Sequence, residues 1–128
     1  MSRPQYLSIH PIGDTNPLDM PVTDVLKASE WYERCMGFTV AVMDPQYKSI
    51  TMTRDSVEIG LAQNGGDPEQ ASCYIDVTDV DSARAELAAN YVNVSDIRID
   101  NYGGANFRVF FAKDDDGICY CLGKKIEE

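Results

Sequence analysis

A chain of 128 residues with 44% hydrophobic and 25% charged side chains can bury a core of its own, which excludes disorder and dependence on disulfides or a structural metal. Its 21 acidic and 11 basic residues leave a formal charge of −10, which repels nucleic-acid phosphates and anionic lipid headgroups. No apolar run approaches the ~20 residues of a membrane span, and Met1 to Asp14 lacks the basic start and apolar stretch of a signal peptide, so a cytoplasmic protein is expected.

Tyr6 to Ile12 reads as an extended segment, and Gly13-Asp14-Thr15-Asn16-Pro17 as a loop of turn formers. Leu18 to Val22 alternates apolar and other residues as a half-buried strand does, with Pro21 confined to an edge or bulge because it cannot donate to a ladder. Thr23 or Asp24 can cap the helix that follows, Val25 to about Met36, which Gly37 stops. Trp31 and Tyr32 on that helix read as core aromatics rather than a binding box. Phe38 to Met43 is a strand, Asp44-Pro45 a turn, and Lys48 to Thr53 with Ser56 to Gln63 a hairpin around Arg54-Asp55. In the last of these strands Glu58, Gly60 and Ala62 share a face, one carboxylate among very small residues, which leaves room for something beside Glu58.

Asn64-Gly65-Gly66-Asp67-Pro68 is the strongest breaker cluster, and beyond it the plan repeats. Val22-Thr23-Asp24-Val25 returns 55 positions later as Val77-Thr78-Asp79-Val80, and Ala28 matches Ala83. Cys73 to Val77 is a strand, Thr78 or Asp79 a cap, and Val80 to about Asn90 a helix with Val80, Ala83 and Leu87 on its buried stripe. Val94 to Ile99, Phe107 to Ala112 and Ile118 to Leu122 supply three strands, separated by Tyr102-Gly103-Gly104 and by Asp114-Asp115-Asp116-Gly117, and Lys124 to Glu128 is a charged tail. Two copies are too few for a solenoid, so residues 1–128 read as one domain with modules at about 18–63 and 72–123.

Strand, helix and three strands written twice, with Val22-Thr23-Asp24-Val25 leading to Trp31-Tyr32 and Met36-Gly37-Phe38, and Tyr102-Gly103-Gly104 ahead of the acid-rich turn at Gly117, make the chain similar to the vicinal oxygen chelate superfamily. That group takes in glyoxalase I, extradiol dioxygenases and the bleomycin resistance proteins. The resemblance runs from Leu18 to Gly123. It implies an α+β fold in which two βαβββ modules form a half-open, eight-stranded mixed barrel around a cleft, in a homodimer. In metal-using members the cleft holds a divalent ion on four side chains, two per module.

Carried over one position at a time, those ligand sites fall on Pro17, on Ser72, on Cys121 where the family would hold a glutamate, and on Glu58 or Gly60. Proline offers no donor and serine a poor one, while a divalent ion needs several carboxylate or imidazole groups converging on one point. The single histidine, His10, lies upstream of the expected position and reaches the cleft only if Ile9 to Ile12 is the first strand and Gly13 to Asp19 an insertion. Cys119 and Cys121 point the same way on one strand, roughly 6.6 Å apart at twice the strand rise. That spacing is long for a disulfide, and two further donors would be needed for zinc, because Cys73 alternates with Ile75 and Val77 toward the core. All four cysteines, Cys35 included, are expected as free thiols in a reducing compartment.

These residues imply a binding protein that uses no metal cofactor, a homodimer sequestering a cationic or aromatic small organic molecule. The cleft face carries Asp19, Glu58, Tyr74 and Asp76, and the ligand contacts are assigned to Glu58, Tyr74, Asp76, Tyr102, Arg108, Phe110 and Cys121. An Arg108–Asp76 ion pair and a core Phe110 are the bland readings of two of them. The alternative is a lyase, isomerase or dioxygenase with a divalent metal on Glu58 and His10. A scaffold that works through its dimer surface is the third class.

Overall fold

The computed structural model describes residues 3–44, 46 and 48–126; Met1, Ser2, the proline of the expected turn at Asp44 and the end of the charged tail lie outside the described residues. Among the described residues, ten strands pair into two mixed sheets, accompanied by two α-helices. The small sheet takes its strands from the first half: β2 (Met20–Pro21), β3 (Thr39–Asp44), β4 (Ser49–Arg54) and β5 (Val57–Ala62), in the order β2-β5-β4-β3. The large sheet takes β6 (Ser72–Val77), β7 (Asn93–Val94), β8 (Arg98–Tyr102), β9 (Ala105–Lys113) and β10 (Cys119–Lys125), and the N-terminal strand β1 (Tyr6–Pro11) adds to it antiparallel to β6. In both sheets the first strand of the half runs parallel to the last, β2 beside β5 and β6 beside β10, with the remaining pairs antiparallel. Among the described residues no strand pairing joins the two sheets into one barrel.

The duplicated tetrapeptide does the same work twice. Asp24 caps α1 (Val25–Met36) by accepting the Leu26 and Lys27 N–H groups at 3.1 and 3.2 Å, and Asp79 caps α2 (Val80–Ala89) by accepting that of Ser82 at 3.1 Å. The neighbouring threonines do not cap; Thr23 donates to Asp116 at 2.7 Å and Thr78 accepts from the Gln5 N–H at 2.9 Å. Gly37 ends α1 in the left-handed region at φ 72°, where a glycine pays no Cβ penalty.

Three expected segments come out differently. The Leu18 to Val22 segment is a strand only at Met20 and Pro21, flanked by backbone bonds to β5 from the Val22 N–H to the Ala62 carbonyl at 3.0 Å and from the Gly60 N–H to the Pro17 carbonyl at 2.9 Å. The extended segment expected from Tyr6 is a strand over Tyr6 to Pro11, with a register shift between Tyr6 and Ser8 and with Tyr6 fully buried. Val94 to Ile99 splits into β7 and β8: the Ser95 hydroxyl accepts the Phe111 N–H at 2.8 Å, and the chain leaves β9 before rejoining it at Arg98.

One hydrophobic core is shared by the helix-covered faces of both sheets and takes in Trp31, Tyr32 and Met36 of α1, Ala83 and Leu87 of α2, Ile59 and Leu61 of β5, Ile75 of β6, Phe110 of β9 and Leu122 of β10. Polar contacts centred on Arg54, Asp114 and Asn90 cross between the halves inside or beside this core. The buried Arg54 guanidinium donates to the carbonyls of Met36 and Pro4 and to Glu86 of α2 at 2.6, 2.9 and 2.9 Å, and lies 3.8 Å over the Tyr6 ring. Asp114, at the turn before β10, accepts the Tyr32 hydroxyl of α1 at 2.5 Å, and Tyr32 meets Tyr120 at 2.6 Å. Asn90 Nδ2 donates to the Cys35 carbonyl at 3.0 Å. The opposite faces of the two sheets carry mostly half-buried and exposed residues, with Val109 and Cys121 buried among them on the large sheet.

Candidate ligand-binding site

Alternation along β6 sends Cys73, Ile75 and Val77 into the core and leaves Ser72, Tyr74 and Asp76 on the open face of the large sheet. Register extends that face. Cys119 pairs with Ser72 and Lys113, Cys121 with Tyr74 and Phe111, Gly123 with Asp76 and Val109, and Lys125 with Phe107. Across β9, Arg98 pairs with Val109, Asp100 with Phe107 and Tyr102 with Ala105, while His10 and Ser8 of β1 lie beside Tyr74 and Asp76.

Side chains on this face are arranged in two groups flanking a floor of thiols. The Tyr74 ring meets Phe107 edge-on at 6.0 Å, and its hydroxyl donates to Asp76 at 3.4 Å. Gly123 makes room for that ring, since a Cβ there would stand 3.3 Å from Tyr74 and 2.6 Å from Val109. On the other side the Arg98 guanidinium lies 4.8 Å over Phe111 and holds Asp100 at 3.0 Å. Between them Cys121 is 9% exposed, and burial, then the Asp100 carboxylate, pushes its thiol up to about 11. Cys119 is also raised by burial, with Lys113 beside it acting the other way. Neither thiol is ionised near neutrality, so both act as small floor groups rather than nucleophiles. Burial, and then the charge of Asp76, raises Tyr74 well above the ordinary phenol value.

Of the seven residues assigned from the sequence, Tyr74, Asp76 and Cys121 share this face, and Tyr102 stands at its end, 81% exposed. The other three are elsewhere. Phe110 is fully buried on the helix side of β9. Arg108 faces the same helix side and grips Asp81 of α2 with two bonds of 2.7 and 2.9 Å rather than pairing with Asp76. It lines a pocket of ≈ 350 Å³ at the first turn of α2, apart from Tyr74 and Cys121. Glu58 lies exposed on the open face of the small sheet, in register with Thr53. The space its small neighbours leave is taken by the chain itself: the Gly60 N–H donates to the Pro17 carbonyl at 2.9 Å, and a Cβ at 60 would meet the Leu18 carbonyl oxygen at 2.1 Å. Asp19 accepts from Asn64 at 3.1 Å in the same loop region.

Phe107, Phe111, Arg98 and Lys113 were not among the expected contacts. The signal was present in β9, where Phe107, Val109 and Phe111 form one parity and Arg108, Phe110 and Ala112 the other. Which parity faces out depends on the pairing with β10, which residue spacing alone does not set.

Among the described residues no three His, Cys, Asp or Glu side chains are grouped as ligands. His10, on the large sheet, is bonded to Ser8 at 3.0 Å, and Glu58 belongs to the other sheet. The four cysteines are unpaired. Among the described residues no helix is long and apolar enough to cross a membrane.

The fold is shared with solved structures of low sequence identity. An antibiotic-binding protein from Streptomyces superposes with a TM-score of 0.73 at 20% identity, over 90% of this chain and 98% of that one. The bleomycin resistance determinant encoded on transposon Tn5 gives 0.71 at 17% identity, over 88% and 98%. A virulence protein from Salmonella typhimurium gives 0.71 at 16%, over 90% and 98%. No curated protein matches the chain. Residues 13–122 match the family described as the Glyoxalase/Bleomycin resistance protein/Dioxygenase superfamily, and with the paired strand-helix-strand halves on either side of Cys35 and Asn90, the chain belongs to that superfamily.

Proposed function

We propose that this protein binds a small organic molecule with aromatic character on the open face of the large sheet, without a metal, in a cleft completed by a second copy of the chain. The observation that carries the reading is the uncovered aromatic set. Both helices lie on the core side, whereas Tyr74, Phe107 and Phe111 stand half-buried on the side that no described helix covers. Full burial of such a ring contributes roughly 1.5–3 kcal/mol, and a flat guest can supply the part of it that the fold leaves in water.

The antibiotic-binding protein and the bleomycin resistance determinant, named for what they bind or resist, support this class of activity. A second copy placed against the large sheet would supply the missing wall of the half-open barrel, and the four free thiols suit a reducing cytoplasm. The test is a thermal-shift screen with aromatic compounds on wild type and Tyr74→Ala, together with sedimentation of the wild type. Ligand-dependent stabilisation that is lost in Tyr74→Ala, on a dimer, supports the reading. A monomer that no aromatic compound stabilises overturns it.

A further inference from the structure

The charges on the two open faces are unequal. On the small sheet, Glu58 stands in register with Thr53, in a row that also holds Thr39 and no cation among the described residues. On the large sheet, Arg98, Lys113 and Lys125 face Asp76 and Asp100, a local excess of positive charge in a chain of net charge −10. Both carboxylates there are already engaged: Asp100 takes two contacts from Arg98, at 3.0 and 3.2 Å, and Asp76 accepts the Tyr74 hydroxyl. Lys113 is exposed, beside the Cys119 thiol and one row from Phe111, and makes no ion pair among the described residues.

We infer that the guest of this face is an aromatic anion, its ring laid between Tyr74 and Phe111 over Cys121 and its carboxylate or other acid group held by Lys113. The backbones of Tyr74 and Phe111 flank Cys121 from the two adjacent strands, about 10 Å apart at twice the interstrand spacing, with the Tyr74 ring leaning against Phe107 and the Phe111 ring under Arg98, and the guest is placed between these two groups. A cationic guest finds no free carboxylate between those rings, and the acid group that could receive one, Glu58, belongs to the other sheet. This inference rests on the proposed binding of an aromatic guest at the same face.

The test titrates the wild-type protein with 2-naphthoate and with 2-naphthylmethylammonium, then repeats both with Lys113→Gln and with Tyr74→Ala, using melting temperature to confirm folding. The expected result is a preference for naphthoate of about fivefold or more at low salt, reduced by added salt and lost in Lys113→Gln, with both probes weakened by Tyr74→Ala. Equal or tighter binding of the ammonium, or a naphthoate preference that survives Lys113→Gln, overturns the anionic assignment while the aromatic site stands. Binding of neither probe, or binding indifferent to Tyr74→Ala, overturns the aromatic site and this assignment with it.

Discussion

Cys35 and Asn90 occupy equivalent positions of the duplicated halves, 55 residues apart, and they touch each other: Asn90 Nδ2 donates to the Cys35 carbonyl at 3.0 Å, and the Cys35 thiol approaches the Asn90 carbonyl at 3.7 Å. Two related residues can meet only where the axis relating the halves passes. The ends of α1 and α2 therefore mark that axis, and the contacts that hold the halves together are arranged about it. Asn90→Ala removes a hydrogen bond at a half-buried site, and urea denaturation is expected to show a loss of about 1 kcal/mol.

Arg54 lies nearer the heart of the junction. Its side chain is 1% exposed, and it reaches Glu86 of the other half at 2.9 Å as well as two backbone carbonyls. Arg54→Met leaves both carbonyls without this donor and Glu86 with only Arg3 at 3.6 Å, and the expected cost is about 3 kcal/mol. Glu86→Gln keeps an acceptor for the guanidinium and should cost clearly less. Equal losses in the two variants would contradict the role given to Arg54.

Asp114 gives the junction a pH dependence with a definite sign. Burial raises its pKa above the ordinary carboxylate value, outweighing the Tyr32 hydroxyl and the Ile118 and Gly117 N–H groups that act in the other direction. With the folded value above the unfolded one, the folded protein holds more protons between the two, so this group's contribution is complete below the unfolded pKa and is lost as pH rises through the folded pKa. Acidification through that window therefore stabilises the wild type relative to Asp114→Asn. The check is the urea midpoint of both proteins measured across the acidic range; a wild type that loses stability faster than the variant would reverse the sign.

Much of this architecture is legible in the residues, and the exceptions have physical causes. The paired Val-Thr-Asp-Val segments, Gly37 and the breaker run at Asn64 locate both helices and the duplication, because caps and stops act over a few residues. The faces of β6 follow from a strict alternation of Cys73, Ile75 and Val77 with polar neighbours. In β9 both parities carry a large aromatic, so Phe110 looks as suitable for a ligand as Phe107 or Phe111, and only pairing with β10 decides between them. Arg108 was tied to Asp76 by proximity in the strand plan, but its partner Asp81 sits on a helix whose crossing angle no local pattern sets. The gap inferred beside Gly60 is real in side-chain volume and is closed by backbone from Leu18, a contact across 42 positions.

Gly60 turns that last point into a test. Gly60→Ala places a methyl 2.1 Å from the Leu18 carbonyl oxygen, which must move for β2 to stay on β5. The expected destabilisation is about 1–3 kcal/mol, read as a lower melting temperature. A vacant site beside Glu58 would tolerate the same change without loss.

The central claim is that the guest lies on the Tyr74 face and not beside Glu58 or in the pocket lined by Arg108. Two-dimensional NMR during titration with small aromatic compounds tests it most directly. The account predicts shifts at Tyr74, Phe107, Phe111 and Cys121, with Glu58, Asp81 and Arg108 unmoved. Shifts centred on Thr78 to Asp81 and Arg108, or on Glu58 and its neighbours in the small sheet, would contradict it.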